Sequence, residues 1–386
     1  METKRQIQSV DIVILFLYAF CLIFSSIPSI NKISLYVLIP IMGIVLFIKN
    51  NSIFYSGKYL SLYLVLVVWM AFTSITAQNT DVAFRHMVRI LSSYIISVIS
   101  YYLAIKYSLI KRLYWLILIT FIIILFNADF GNWVIAESAD DRDQFSGTNA
   151  NMFSYYLIYA NFSLFMLIKI YRRNNFILYS ISVLSLILSL YISLVTASRQ
   201  ILVLQIPLII LMTIVTQNRV NKKNIILSLC LILLIVILAQ PIVNRYLSNS
   251  LLSERFIENV KDDVRITLIH NAMYESSNRP LLGIGPNNFV EKYSMFTHNT
   301  YLELLVSSGL PAVIIYIMIT FRFMLIQLKR YKRTKDKTFL MFFVYAAVFI
   351  VSNVFYVYIG NLWLMGIFFI TVGHSEAYFK NKYLLI

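Results

Sequence analysis

What this chain of 386 residues has least of is charge: only 13% of it is Asp, Glu, Lys or Arg. A soluble domain carries roughly a quarter charged and about half apolar residues, whereas here 60% are hydrophobic and the mean hydropathy is +0.77. A soluble globular protein is excluded. Cysteine is nearly absent as well. Cys21 and Cys230 each fall in the middle of an apolar run, which argues against a disulfide framework or a cysteine metal cluster and leaves both as packing residues. The four histidines have no metal-ligand spacing to one another, and the chain shows neither a repeat of fixed period nor a low-complexity segment. The expectation is an activity that uses no metal and no cofactor.

What is present in quantity is long apolar runs. A helix needs roughly 20 apolar residues to cross the hydrocarbon layer, and twelve runs fit, near 10–28, 33–48, 59–77, 87–105, 112–128, 150–170, 175–196, 200–217, 224–240, 299–325, 339–357 and 361–378. They are continuous rather than alternating, so a β-barrel is excluded. The first run is followed at once by the second and lacks a small-residue cleavage signature, so it is expected to stay in the protein. The expected fold is all-α: a single polytopic membrane domain over residues 1–386, with about twelve transmembrane helices.

The net charge of +16 points to topology rather than to nucleic acid, because the lysines and arginines gather at every second loop. Lys4 and Arg5, the clusters at 49–58, 106–112, 169–173, 219–223 and 329–337, and Lys380 with Lys382 all fall on one side if the runs alternate. Both termini are then cytoplasmic. Two loops on the outer face exceed a turn, a small one at 129–149 and a large one at 241–298, and loops of that length tend to carry function. Within the large loop, Asp262 or Asp263 can cap an amphipathic helix that runs to about Ser277 and is stopped by Asn278 and Pro280. On it Arg265, Leu268, Ile269 and Ala272 share a face, as expected of a helix lying on the membrane surface.

The outer ends of the runs collect polar groups that are expensive at a membrane boundary and are therefore functional candidates. They are Arg85, His86 and Arg89 before the fourth run, Asn149 and Asn151 before the sixth, Arg199 after the seventh, and His298 with Asn299 before the tenth. Arginine suits a diphosphate because its planar, permanently charged fork donates two parallel hydrogen bonds to phosphate oxygens. Arg199, Arg265 and Arg279 are the candidates. The plain alternatives are a snorkelling cation, an ion pair with Asp262 and a helix-end cation, respectively. His298 can act as a general base near neutral pH, or merely cap the tenth helix. Gly283 and Gly285 in GIGPNNF lack the third glycine and the preceding strand of a dinucleotide fingerprint and read as a turn.

Four segments resemble the O-antigen polymerase and O-antigen ligase superfamily of bacterial glycan transferases: SGTNANMFSYYL (146–157), TASRQILVL (196–204), VRITLIHNAMYESSNRPLLGIGPNNF (264–289) and HNTYLELLVSSGL (298–310). The resemblance implies an inner-membrane enzyme whose active site faces the periplasm and whose substrate is an undecaprenyl-diphosphate-linked oligosaccharide. It implies that Arg199 and Arg265 contact the diphosphate and that His298 activates or orients the acceptor hydroxyl. Arg279, Asn299, Asn151, Arg85 and Arg89 are weaker candidates for substrate binding. The expected partners are the bilayer, the lipid-linked glycan and a chain-length regulator protein, with no nucleic acid. Leu310, Pro311 and Ala312 follow Gly309 where ligases often carry a second glycine-containing stretch, and the asparagine-rich approach to Asn151 also looks more like polymerases. A ligase remains the alternative, and a lipid-linked glycan flippase is a more distant one.

Overall fold

The computed structural model describes residues 9–24, 28–127, 152–171, 175–196, 198–217, 264–359 and 361–383. Every regular element among them is helical. The helices are α1 (Ser9–Ile23), α2 (Ile30–Asn50, with a π-helical stretch at Ser34–Leu38), α3 (Lys58–Ile75), α4 (Thr80–Ile105), α5 (Ile110–Asn127), α6 (Met152–Ile170), α7 (Asn175–Thr196) and α8 (Arg199–Thr216). After the large loop come α9 (Val264–Asn278), α10 (Asn288–Tyr293), α11 (Thr300–Thr334), α12 (Lys337–Ser352) and α13 (Leu362–Tyr383).

Helices therefore stand at eleven of the twelve expected positions, and the run at 224–240 lies outside the described residues. Six are long and apolar enough to cross a membrane by length and composition: α2, α3, α4, α5, α7 and α11. Their outward faces are apolar. Ile44, Ile48, Val65, Val68, Phe72 and Leu184 are all exposed, Ile48 by 80%, a surface that water does not tolerate in a monomer and that lipid does. The chain is a helical, multi-pass membrane protein.

One boundary differs from expectation in a way that affects the site. The fourth span does not begin at residue 87. Asn79 caps α4, its side-chain oxygen accepting from the Val82 amide at 3.3 Å, and Asp81 lies in the first turn where the helix dipole favours an acid. Arg85, His86 and Arg89 thus sit on the helix rather than ahead of it.

The chain divides into two compact units, 1–113 with 261–326 and 349–386, and 114–260 with 327–348. In the first, α4 and α13 pack closely because both present small groups, as membrane helices without a hydrophobic drive between them require. Ser93, Ser97 and Ser100 are fully buried on α4, and a Cβ at Gly366 of α13 would come within 2.6 Å of Ile96. The Tyr18 and Ser100 hydroxyls bond at 2.9 Å, Tyr63 and Ser93 at 3.0 Å, and Cys21 is buried as a packing residue. Asp11, wholly buried, is held by Lys49 at 2.7 Å, by Lys106 and by the Tyr102 hydroxyl at 2.6 Å, which ties α1, α2 and α4 through a charge that burial alone would make prohibitive. In the second unit, Gln205 of α8 accepts from Asn161 at 2.9 Å and donates to the Ser154 carbonyl at 2.7 Å, joining α8 to α6 beside an apolar cluster of Phe121, Ile124, Leu157, Ile192, Val195 and Ile201.

Candidate functional site

The polar machinery of the first unit is built around a break in α11. Gly309 has φ 75° and ψ −178°, so the helix stops at Ser308 and restarts at Leu310. A break strands the carbonyls of the last turn, and here the loop after α9 and Trp69 of α3 supply donors for them. The Ile284 amide donates to Val306 O at 2.8 Å, the Gly285 amide to Ser307 O at 2.9 Å, and the Trp69 indole to Ser308 O at 2.8 Å. On the far side of the break the Leu310 amide donates to Pro280 O at 2.8 Å. The fit is close. A Cβ on Gly309 would lie 2.1 Å from Leu281 O, and one on Gly283, at φ 66°, would lie 2.5 Å from the Ser307 carbonyl carbon, so only glycine serves at either place.

The same loop is seated on the turn between α3 and α4. Ile284 O accepts from the Gln78 amide at 2.9 Å, while the Asn288 side chain accepts from the Asn79 amide at 2.8 Å and donates to Asn79 O at 3.2 Å. Leu268 and Ala272 of α9 close over it, packed with Ile284, Phe289 and Val306. The expected face of α9 is thus present for Leu268 and Ala272, with half-buried Arg265 beside them, but Ile269 is 40% exposed. Glu275 pins α10 to α9, accepting from Lys292 at 2.6 Å and from the Tyr293 hydroxyl at 2.7 Å. Burial pushes its carboxyl upward, and the Lys292 and Tyr293 bonds, with the charges of Lys292 and Arg279, outweigh that and hold it below the ordinary value of 4.5.

His298 occupies the turn that leads into α11. Its φ is 54°, in the left-handed region that histidine visits more readily than most side chains, and its neighbours are anchored on both sides. Ahead of it, Thr297 donates from its amide and its hydroxyl to Glu303 Oε2, at 3.2 and 3.1 Å, and its hydroxyl oxygen also lies 2.9 Å from Asn299 O. Behind it, Asn299 caps α11, its side-chain oxygen accepting from the Tyr301 and Leu302 amides at 2.9 and 3.1 Å. The helix cap is therefore Asn299 and not His298. Thr300 fixes the other flank, its amide donating to Asn353 O at 2.8 Å and its hydroxyl to Tyr356 O at 2.6 Å.

Of the arginines, Arg265 lies at the start of α9, and exposed Arg279 lies just past its end, where it donates to Thr76 O at 3.1 Å. The rise of an α-helix separates the two by about 20 Å along the axis, so one diphosphate cannot rest on both. Arg85 and Arg89 are exposed on α4, and Arg85 donates to Asp81 O of its own helix at 3.2 Å. Arg199 is the first residue of α8, following a tight turn in which Ser193 and Ser198 exchange bonds at 3.0 and 3.1 Å, and its side chain lies outside the described residues. Asn149, Asn151, Asp262 and Asp263 lie outside them too.

Glu303 escaped the sequence reading. Glu303 and His86 line one cleft, with Asn287, Ser307, Phe296, Pro286, Met70, Leu304, Val357 and Ile359. Glu303 stands inside an apolar run and was hidden by its neighbours; the signal was its place five residues after His298, where the first turns of a helix bring both to one end. The Gly309 break was missed as well, although a glycine followed two residues later by Pro311 is a signal that a helix can stop there.

Residues 184–317 match the family model described as O-antigen ligase. That stretch holds Arg199, Arg265, Arg279, His298, Asn299, Glu303 and Gly309, and leaves out Arg85, His86 and Arg89. No curated protein matches the chain.

Proposed function

We propose that the protein is a polysaccharide polymerase that transfers a glycan from undecaprenyl diphosphate to a sugar hydroxyl of a second lipid-linked repeat unit, making O-antigen, capsule or exopolysaccharide. The observation that carries the reading is His298, held at φ 54° between Thr297 and the α11 cap inside the stretch that matches the O-antigen ligase family. In the reaction the acceptor oxygen attacks the anomeric carbon, the bond from that carbon to the diphosphate oxygen breaks, and the diphosphate leaves with the electron pair. The imidazole of His298 takes the hydroxyl proton, a role typically worth 10² to 10⁴ in rate. Charge growing on the diphosphate is met by the guanidinium groups of Arg199 and Arg265, and Arg279, at the far end of α9, is left out of that role, so the step needs no metal. Single displacement inverts the donor sugar. The full architecture in this reading is twelve spans in the cytoplasmic membrane, with the site on the outer face.

A ligase that moves finished glycan to lipid A core is the second reading, favoured by the name of the matching family, O-antigen ligase. The residues after Gly309, Leu310-Pro311-Ala312, favour the polymerase. Purified protein incubated with a lipid-linked repeat unit separates the two: the polymerase yields a ladder of longer lipid-linked products, whereas a ligase yields one product and only when lipid A core is added. Arg265→Ala should abolish the ladder while the protein stays in the membrane; a full ladder from that variant would sink the diphosphate assignment.

A further inference from the structure

Glu303 makes bonds that its own helix does not need. In a capping box the side chain at the third helical position reaches back to the amide of the capping residue. Here Asn299 caps α11 unaided, its side chain taking the Tyr301 and Leu302 amides. Glu303 is the fourth residue of the helix, and its Oε2 passes the cap to accept from the amide and the hydroxyl of Thr297, at 3.2 and 3.1 Å. The bonds serve the residue ahead of His298. A carboxyl group 7% exposed inside an apolar run is expensive, and α11 is among the helices long and apolar enough to cross a membrane, where such a group is a functional candidate by default.

Thr297 in turn closes over His298. Its hydroxyl oxygen accepts from the Asn299 amide at 3.4 Å, which makes a three-residue turn with His298 in the middle at φ 54°. At that length the bond is weak by itself, and the left-handed conformation costs a histidine about what one or two hydrogen bonds return on balance. The turn needs a second hold. The hydroxyl has one proton and two acceptors in reach, Glu303 Oε2 and Asn299 O. Asn299 O already accepts from the Glu303 amide at 2.9 Å, so the proton is available to the carboxyl oxygen. With its amide and hydroxyl both tied to α11, buried Thr297 is fixed from the helix side. An amide N–H can be accepted by a charged or a neutral carboxyl oxygen alike, so the clamp does not depend on charge.

We infer that Glu303 is a positioning residue for the transfer: acting through Thr297, as a hydrogen-bond acceptor and not as a base, it holds the turn from which the His298 imidazole meets the acceptor hydroxyl. The inference deepens the proposed function and rests on the role of His298 in it. Rate and geometry are read separately on the purified full chain in detergent. Ladder synthesis from the lipid-linked repeat unit gives kcat and KM, and hydrogen exchange at the Thr297 and His298 amides reports the turn. Glu303→Ala should lower kcat about ten- to a hundredfold with KM unchanged, and should speed exchange at Thr297 by about tenfold or more. Glu303→Gln keeps a side-chain oxygen for both Thr297 donors and should stay near wild type in rate and exchange. Thr297→Val removes the hydroxyl alone; it should lower kcat less than Glu303→Ala does, and cost less when added to Glu303→Ala than it does alone, because the two changes break a shared interaction.

Wild-type kcat in Glu303→Ala overturns the assignment, and so does a loss of kcat that only follows a fall in melting temperature and vanishes on cooling. Glu303→Gln as slow as Glu303→Ala would make the carboxylate itself the working group and overturns it too. Unchanged exchange at Thr297 and His298 in Glu303→Ala removes the clamp whatever the rate. If Glu303→Ala does not fold, the other two variants decide: a slow Glu303→Gln or a wild-type kcat in Thr297→Val overturns the assignment. Failure of the parent reading looks different. With no transfer by wild-type protein, to a repeat unit or to lipid A core, and exchange that still responds to Glu303→Ala, the clamp stands and its task in transfer falls with the proposed function.

Discussion

At the scale of single residues, His298 raises a question that an alanine variant cannot answer. Its φ of 54° is uncomfortable for alanine, so His298→Ala would lose both the imidazole and the backbone conformation. Asparagine tolerates the left-handed region about as well as any side chain other than glycine. His298→Asn should therefore leave the melting temperature of the detergent-solubilised protein nearly unchanged while transfer slows by about 10² to 10⁴, which at 1.36 kcal/mol per decade is about 3 to 5 kcal/mol of barrier. Stability and rate falling together would mean that the residue shapes the turn and does not move a proton. The polar residues at this turn, His298 and Asn299, were readable from the sequence; which of them caps the helix was not. A histidine ahead of a helix and an asparagine ahead of a helix are both reasonable caps, and only the bonds from the Tyr301 and Leu302 amides show that Asn299 has the task.

At the scale of elements, α9 and α11 show what a hydrophobic pattern conveys and what it omits. The stop at Asn278 and Pro280 and the apolar spacing of Leu268 and Ala272 gave α9 to within a few residues of Val264–Asn278. The run at 299–325 gave α11 as one uninterrupted span, because periodicity reports that residues are apolar and not that the backbone turns among them. The break at Gly309 depends on contacts from distant sequence, the amides of Ile284 and Gly285 and the indole of Trp69. Placement of the loop that delivers those amides depends in turn on α9 and α10 staying together through Glu275. Its carboxyl is held below 4.5 in the fold, and a group depressed by folding contributes stability that is fully present above its unfolded value and is lost as pH falls through its folded value. Thermal melts taken from pH 6 down to pH 3 should show the wild type losing stability below about 4.5. Glu275→Gln should start less stable and show a shallower decline, since its amide does not titrate. Parallel acid slopes for the two proteins would assign the loss to other carboxylates.

At the scale of the whole molecule, the proposed twelve-span reading makes the side of the membrane on which α9 lies turn on the run at 224–240, which lies outside the described residues. If it crosses, nine spans precede the large loop, which then faces outward, and three more return the C-terminal end to the cytoplasm. If it does not, the loop faces the cytoplasm, and the six basic residues from Lys329 to Lys337 end up outside, against the bias that orients membrane helices. That asymmetry favours the crossing. It also decides the chemistry, because a site on the outer face meets lipid-linked glycans and not cytosolic nucleotide sugars. Two single cysteines measure it. Cys230 is replaced by serine, and buried Cys21 is left as an unreactive background. Exposed Ser277 of α9 and exposed Asn381 of α13 are each changed to cysteine and treated in intact cells with a membrane-impermeant maleimide. The expected result is labelling at position 277 before lysis and at position 381 only after it. The reverse pattern means that 224–240 stays on one side, and it removes the outer-face polymerase, since His298 and Arg265 would then lie where undecaprenyl-linked repeats are built and not where they are joined.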